Sequence, residues 1–179
     1  MKPIFLIGYM CSGKTTLGRA LERVADVTYI DLDDLIVEEQ GMSVSEIFAR
    51  RGEEEFRRLE GDALARVAVR ENVVVGCGGG TACLPANMEL MNSCGTTVLL
   101  EACRERLLSR LLEGRARRPL IASLADDEVE RAMERDLERR RVHYEKARNR
   151  FDSSLLETPA EVSSTVELFI SKFNIPRKI

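Results

Sequence analysis

Hydrophobic positions along the chain change period in a regular way. The continuous apolar run "IFLI", Ile4 to Ile7, reads as a buried strand, and "TTLGRALERV" after it takes the helical period. The alternation then repeats. "VTYID" is a second strand ending at Asp31. "SVSEIFARRG" is a short helix opened by a capping box, Ser43 and Glu46 standing three apart, and a longer helix follows from about Glu53 to Glu71. "VVVG" is a third strand, "TTVLLE" a fourth and "SSLLET" a weaker fifth. Between the last two lie a helix near Arg104–Leu112, an Arg-rich connector "EGRARRPLIASLA" and a long helix from about Asp126 to Arg148; Pro159 opens a final helix. Strands alternating with helices predict an α/β fold, a parallel sheet covered on both faces, with ligands gathered at the carboxyl ends of the strands. No repeat, low-complexity tract or linker interrupts the 179 residues, so residues 1–179 are expected to form one domain.

Bulk properties narrow the setting. With 44% hydrophobic and 32% charged residues, the chain reads as a globular protein with a core of its own. A formal net charge of -3 leaves no basic footprint for nucleic acid. No stretch approaches the roughly 20 apolar residues of a membrane span, and nothing ahead of the first strand reads as a signal peptide. The five cysteines, Cys11, Cys77, Cys83, Cys94 and Cys103, form no C-x-x-C pair and have no histidine at zinc spacing. Reduced thiols and a cytoplasmic location are expected. No large exposed apolar stripe calls for an obligate assembly, and a monomer is expected.

The first strand delivers "GYMCSGKTT", in which Gly8, Gly13, Lys14 and Thr15 meet the spacing G-x-x-x-x-G-K-T. Backbone N–H groups of such a loop turn inward to cradle phosphate oxygens, and side chains would block that approach. Lys14 reaches the β- and γ-phosphates as a point charge. The Thr15 hydroxyl is placed to ligate Mg²⁺, and the helix that begins here aims its positive end at the anion. Cys11, Ser12, Gly13 and Thr16 complete the phosphate-binding set.

Two other strand ends carry chemistry. The second delivers "DLDD". If the chain stays extended there, Asp31 and Asp33 point to one side; one would join the Mg²⁺ shell and the other would accept a hydrogen bond from the hydroxyl to be phosphorylated. The alternative is Asp33 or Asp34 as an N-cap. The third delivers Gly78, Gly79 and Gly80, which let a substrate lie against bare backbone or form an unliganded turn. In "EEEFRRLE", Phe56, Leu59, Ala63 and Val67 define an apolar stripe; Glu60 falls inside it and Arg57 on its edge. The two are three apart, either a surface ion pair or a pair in which Arg57 reaches a ligand. Val129, Met133, Leu137, Tyr144 and Ala147 mark the apolar face of the long helix, with Arg140 near its middle. A guanidinium there meets a substrate carboxylate or a structural partner. The connector, about residues 112–125, is either an ordinary loop or a mobile lid bringing arginines to the phosphoryl group. His143, the only histidine, is assigned a structural role.

The ordered set "GYMCSGKTT", "DLD", "EFRRLE", "GGG", "RRPLI" and "RRVHY" resembles the shikimate kinases, small P-loop kinases related to the nucleoside monophosphate kinases. The resemblance implies a five-stranded parallel sheet with the phosphate-loop strand at its centre, a substrate-binding part at about 32–61, and ATP-dependent phosphorylation of the 3-hydroxyl of shikimate with Mg²⁺. It implies that Lys14 and Thr15 serve ATP and the metal, with Cys11, Ser12, Gly13 and Thr16 completing the ATP-binding set and Asp31 in the metal's outer shell, and that Asp33 binds the accepting hydroxyl. Arg57, Gly79 and Arg140 would hold shikimate, with Glu60 orienting Arg57. Arg118 of "RPL" would be the lid arginine, and Arg110 would lie near the adenine. The family usually has Gly where this chain has Cys11, which reads either as a tolerated small residue or as a redox-sensitive thiol at a helix N-terminus. The rivals are a gluconate or nucleotide kinase of the same group and a P-loop switch; the N-K-x-D run of a GTPase is missing.

Overall fold

The computed structural model describes residues 1–117 and 121–178. Its elements run β1 (Ile4–Ile7), α1 (Lys14–Val24), β2 (Thr28–Asp31), α2 (Leu32–Gln40), α3 (Val44–Ala68), β3 (Val73–Gly76), α4 (Pro85–Cys94), β4 (Thr96–Glu101), α5 (Arg104–Glu113), α6 (Asp126–Tyr144), β5 (Asn149–Asp152) and α7 (Pro159–Phe173). Short 3-10 turns occupy Thr81–Cys83 and Arg115–Arg117. The strands form one parallel sheet in the order β2-β3-β1-β4-β5, with Ile4 opposite Val74 on one side and Thr96 on the other. β1 is therefore central, as expected, and the loop it delivers emerges between β3 and β4.

Both faces of the sheet are buried, which is why its inner strands read as unbroken apolar runs. Phe5, Ile7, Val73, Val75 and Leu99 point into a core shared with α2 to α6. Ile4, Leu6, Val74, Val98 and Leu100 point the other way, against α1 and α7. Among the described residues no helix is long and apolar enough to cross a membrane.

Four expectations need correction. The fifth strand is "NRFD", Asn149–Asp152, rather than "SSLLET". It is an edge strand paired only with β4, and of its four side chains only Phe151 is buried, so no apolar run announces it. The long helix ends at Tyr144 rather than Arg148; the Lys146 and Ala147 amides donate to the His143 and Tyr144 carbonyls in a closing turn. The chain does not stay extended through "DLDD". It turns into α2 at Leu32, with Asp31 as the N-cap accepting from the Asp33 amide at 3.2 Å. Finally, α4 supplies the crossover between β3 and β4 where no helix was expected. Its buried residues Asn87, Met88 and Met91 share one face, but the polar Asn87 within it conceals that face in the sequence, and only Pro85 at its start and Gly95 at its end mark the helix. The expected pair of helices around residue 52 is present as one kinked element, broken at Gly52, whose φ of 83° lies outside the helical region.

Candidate active site

Three strand ends and the helices α2, α3 and α6 converge above the sheet. The loop after β1 closes on itself through a bond from the Ser12 amide to the Tyr9 carbonyl at 3.2 Å. Two of its glycines are required, one by close approach and one by conformation. A Cβ on Gly8 would stand 2.7 Å from the Leu100 carbonyl oxygen, and Gly13 has a φ of 94°, in the left-handed region that side chains avoid. Gly13 is the N-cap of α1 and offers no side chain to the free N–H groups of the first turn, which remain open to an anion. Thr15 and Thr16, in that turn, are exposed.

Lys14 folds back over its own loop. Its Nζ donates to the Gly8 and Tyr9 carbonyls, both at 2.8 Å, and to Ser12 Oγ at 3.4 Å. These partners are neutral, and burial pulls the ammonium down to about 8 from its ordinary 10.5. Asp31 sits beside it at the end of β2. Its Oδ2 accepts from the Thr15 hydroxyl at 3.1 Å and from the Tyr29 hydroxyl at 3.0 Å. Asp33, one residue into α2, is pushed up to about 6 by burial and by its neighbours Asp31 and Glu60.

The triple glycine after β3 organises the rest. A Cβ on Gly78 would lie 3.0 Å from Asp33 Oδ1 and 3.1 Å from Glu60 Oε1; on Gly79, 2.8 Å from Arg140 Nη1; on Gly80, 2.5 Å from Arg57 Nη2. Successive glycines thus receive a carboxylate and two guanidinium groups, brought from α2, α6 and α3. Glu60 is fully buried and accepts from Arg57 Nη1 at 2.8 Å, while Arg57 also reaches the exposed Glu53 at 3.3 Å and lies 5.4 Å from the centre of the Phe56 ring. Arg140 has a side chain only 16% exposed, lies 5.5 Å from the centre of the Tyr9 ring and pairs with Asp136 at 3.4 Å. The Tyr144 hydroxyl donates to the Gly79 carbonyl at 2.7 Å, fixing the middle glycine to α6.

A separate cleft of about 460 Å³ opens on the other side of the loop, lined by Cys11, Lys14, Thr15, Arg110, Leu156 and Glu157 among others. Arg110 crosses it, donating to the Cys11, Ser153 and Ser154 carbonyls and to Glu157. A cleft of about 580 Å³ lies behind the loop between α5 and α6, but among the described residues Ser12 is the one candidate on its wall. Arg118 falls outside the described residues.

The shikimate kinase family model matches residues 10–171. The chain belongs to the shikimate kinase family. It is 42% identical to shikimate kinase of Phocaeicola vulgatus over 174 residues, 97% of this chain and 99% of that one. The structure of shikimate kinase from Bacteroides thetaiotaomicron is similar with a TM-score of 0.90 at 39% identity, over 97% of this chain and 98% of the other. That of shikimate kinase from Acinetobacter baumannii in complex with shikimate gives a TM-score of 0.80 at 26% identity, over 97% and 94%.

Within this shikimate kinase family member, sequence reasoning passed over Tyr29, Thr81, Asp136 and Leu156. Tyr29 left a trace. A Cβ on Gly18 would stand 2.1 Å from its ring and one on Gly76 2.2 Å from its hydroxyl, so a glycine inside a helix and another closing a strand both make room for it. Thr81 and Leu156 act across long sequence separations that no local pattern records, whereas Asp136 stands four residues before Arg140 on α6, a spacing the sequence does carry.

Proposed function

We propose that this shikimate kinase family member transfers the γ-phosphoryl group of ATP to the 3-hydroxyl of shikimate, giving shikimate 3-phosphate on the route to chorismate and the aromatic amino acids. The observation that carries this reading is the triple glycine with Asp33, Arg140 and Arg57 laid against its successive residues. Two guanidinium groups at one bare backbone segment suit a planar carboxylate, and a carboxylate a few ångströms away suits the hydroxyl of the same small acid.

In this reading, shikimate docks by its carboxylate on Arg57 and Arg140, with Gly78, Gly79 and Gly80 as the floor and Glu60 holding Arg57. Asp33 accepts the hydrogen bond of the reacting hydroxyl. With its carboxyl near 6, it is ionised at neutral pH yet basic enough to take the proton as the oxygen attacks. Cys11, Ser12, Gly13, Lys14, Thr15 and Thr16 receive the phosphates, and Lys14 exchanges its loop carbonyls for phosphate oxygens. Arg110 flanks the adenine, and Arg118 comes down from the lid to the transferring group. The transition state is loose, so positioning and charge stabilisation outweigh base strength.

The residues present fit Mg²⁺. Thr15 and Asp31 offer hard oxygen donors, hydrogen-bonded to one another beside the loop. No group of three or more His, Cys, Asp or Glu side chains among the described residues gathers to hold a metal. That sparse set matches an ion bound mainly by phosphate and water. When bound, Mg²⁺ neutralises phosphate charge. We take the enzyme to act as a cytoplasmic monomer. Release of ADP measured in parallel with shikimate, gluconate and AMP tests the assignment: only shikimate should drive turnover, and equal or greater turnover with either alternative overturns it.

A further inference from the structure

Glu60 is a carboxylate with no solvent exposure, and a buried carboxylate keeps its charge and orientation only while donors hold it. Arg57 Nη1 supplies one donor, to Oε2. The Thr81 hydroxyl supplies another, to Oε1 at 2.5 Å. Thr81 is also fully buried and directly follows the triple glycine. Its amide donates to the Gly78 carbonyl at 3.1 Å, which fixes the hydroxyl relative to the glycine floor. Its own carbonyl accepts from Asn87 Nδ2 at 3.2 Å, and Asn87, 7% exposed in the first turn of α4, lies close to α3 at Gly61. A chain of polar contacts therefore runs from α4 to the turn after β3, to α3, and out to Arg57.

We propose that Thr81, itself steadied by Asn87, is a positioning residue for the substrate's carboxylate, holding Glu60 so that Arg57 presents its guanidinium over Gly80. The proposal rests on the reading above that Arg57 binds the acid. Glu60 has an oxygen on each side: one faces Arg57 and the other is tied to Thr81. With both tied, the carboxylate plane is fixed and Arg57 is held by a fixed partner. Without the hydroxyl, Oε1 loses the hydrogen bond that holds it, the carboxylate rotates toward Arg57, and the guanidinium swings away from the floor or toward Glu53, which already contacts it at 3.3 Å. Among the described residues the phosphate loop and Asp33 receive no hydrogen bond from Thr81, so the effect falls chiefly on the substrate's carboxylate rather than on nucleotide binding or the chemical step.

The test compares Thr81→Val, Thr81→Ala, Thr81→Ser and Arg57→Ala in steady-state kinetics, with thermal melting to show that each is folded. Thr81→Val and Thr81→Ala are expected to raise KM for shikimate about tenfold, or 1.4 kcal/mol, as for one hydrogen bond to a charged group. Their kcat and KM for ATP should stay within about twofold of wild type, and Thr81→Ser should restore the shikimate KM. If Thr81→Val fails to fold, the comparison of Thr81→Ala with Thr81→Ser carries the same information. A raised KM in Arg57→Ala with unchanged KM in the Thr81 variants overturns the positioning role alone. An unchanged KM in Arg57→Ala overturns the assignment of Arg57 and the relay with it. Equal loss in Thr81→Ser and Thr81→Ala also refutes the relay, because the hydroxyl would then not be the operative group.

Discussion

If Lys14 receives the phosphates as proposed, nucleotide binding is a proton-linked event. In the structure the Lys14 ammonium is buried and meets two carbonyl oxygens at 2.8 Å and a hydroxyl at 3.4 Å. The nearby Asp31 and Asp33 offset the burial only in part, and the group sits at about 8. A triphosphate brings several negative charges into the same space and returns the lysine to full protonation. At pH 8 about half of the free molecules carry a neutral Lys14, so binding should take up about half a proton; at pH 7 about 0.1 and at pH 9 about 0.9. Affinity for ATP should accordingly be nearly flat below pH 7.5 and fall toward tenfold per unit above pH 8. The neighbouring Cys77 thiol is pushed well above its usual range by burial and does not titrate in this window. The folded state disfavours charged Lys14, so its destabilising contribution to folding is present below 8 and fades as pH rises toward 10.5. Calorimetric titration with ATP at pH 8, in two buffers of different ionisation enthalpy, measures the uptake directly. Lys14→Arg should bind without the uptake, its guanidinium being charged throughout. A binding enthalpy independent of buffer, with a dissociation constant flat from pH 7 to 9, would refute the reasoning.

Asp33, held near 6, should give kcat/KM an acid limb that rises with pH through about 6; Asp33→Asn should abolish that limb and lower kcat by about 10²-fold, and an unchanged limb would assign it to another group. The same shift, upward from 3.8, means that Asp33 favours folding at low pH and loses that contribution as pH rises through 6. Gly79→Ala places a methyl 2.8 Å from Arg140 Nη1, so KM for shikimate should rise about tenfold with the melting temperature little changed; wild-type KM would show that Arg140 does not work from that position. Arg57→Ala leaves Glu60 buried with Thr81 as its remaining donor, a loss of about 3 kcal/mol. That should lower the melting temperature by about 6–12 °C. Adding Glu60→Gln should restore part of the stability and none of the substrate affinity, and a melting curve insensitive to Arg57→Ala would contradict the buried pair.

How much of this was legible follows from what each element buries. Strands flanked on both faces by helices must be apolar throughout, so β1, β3 and β4 are visible as runs. β5 needs only Phe151 inside, so its sequence looks like a turn. Helices with a broad apolar face were visible, whereas the buried face of α4 is narrow and holds an asparagine beside its two methionines. Within the site, the placement of Glu60 and Arg140 followed from helix geometry, because a charged side chain on an apolar face is a local anomaly. The turn of "DLDD" was decided by capping: Asp31 gains more by accepting the Asp33 amide than by continuing the strand. Thr81 and Tyr144 serve partners more than twenty residues away, and a threonine or tyrosine in isolation carries no sign of that.

Two features that the sequence leaves as separate puzzles, a cysteine in the phosphate loop and an apolar "SSLLET" that is not a strand, have one physical explanation. Cys11 has a φ of 62°, in the left-handed region where a Cβ costs about 1 kcal/mol or more. Such a residue persists only where its surroundings over-determine it. Here they do. Arg110 donates to the Cys11 carbonyl at 3.2 Å, and Cys11 Sγ approaches the Arg110 carbonyl at 3.7 Å. The same guanidinium binds the carbonyls of Ser153 and Ser154 and the Glu157 carboxylate. The segment after β5 is thereby drawn over the loop, where Leu156 fills the space left by the missing Cβ of Gly13. Leu156 is apolar because it walls the cleft beside the loop, and after one last bond to β4, from the Ser153 amide to the Glu101 carbonyl, the segment leaves the sheet with its Ser153 and Ser154 carbonyls held by Arg110. Arg110 thus holds the strained loop and the wall opposite it in a single cluster, so a change at Arg110 should loosen both together.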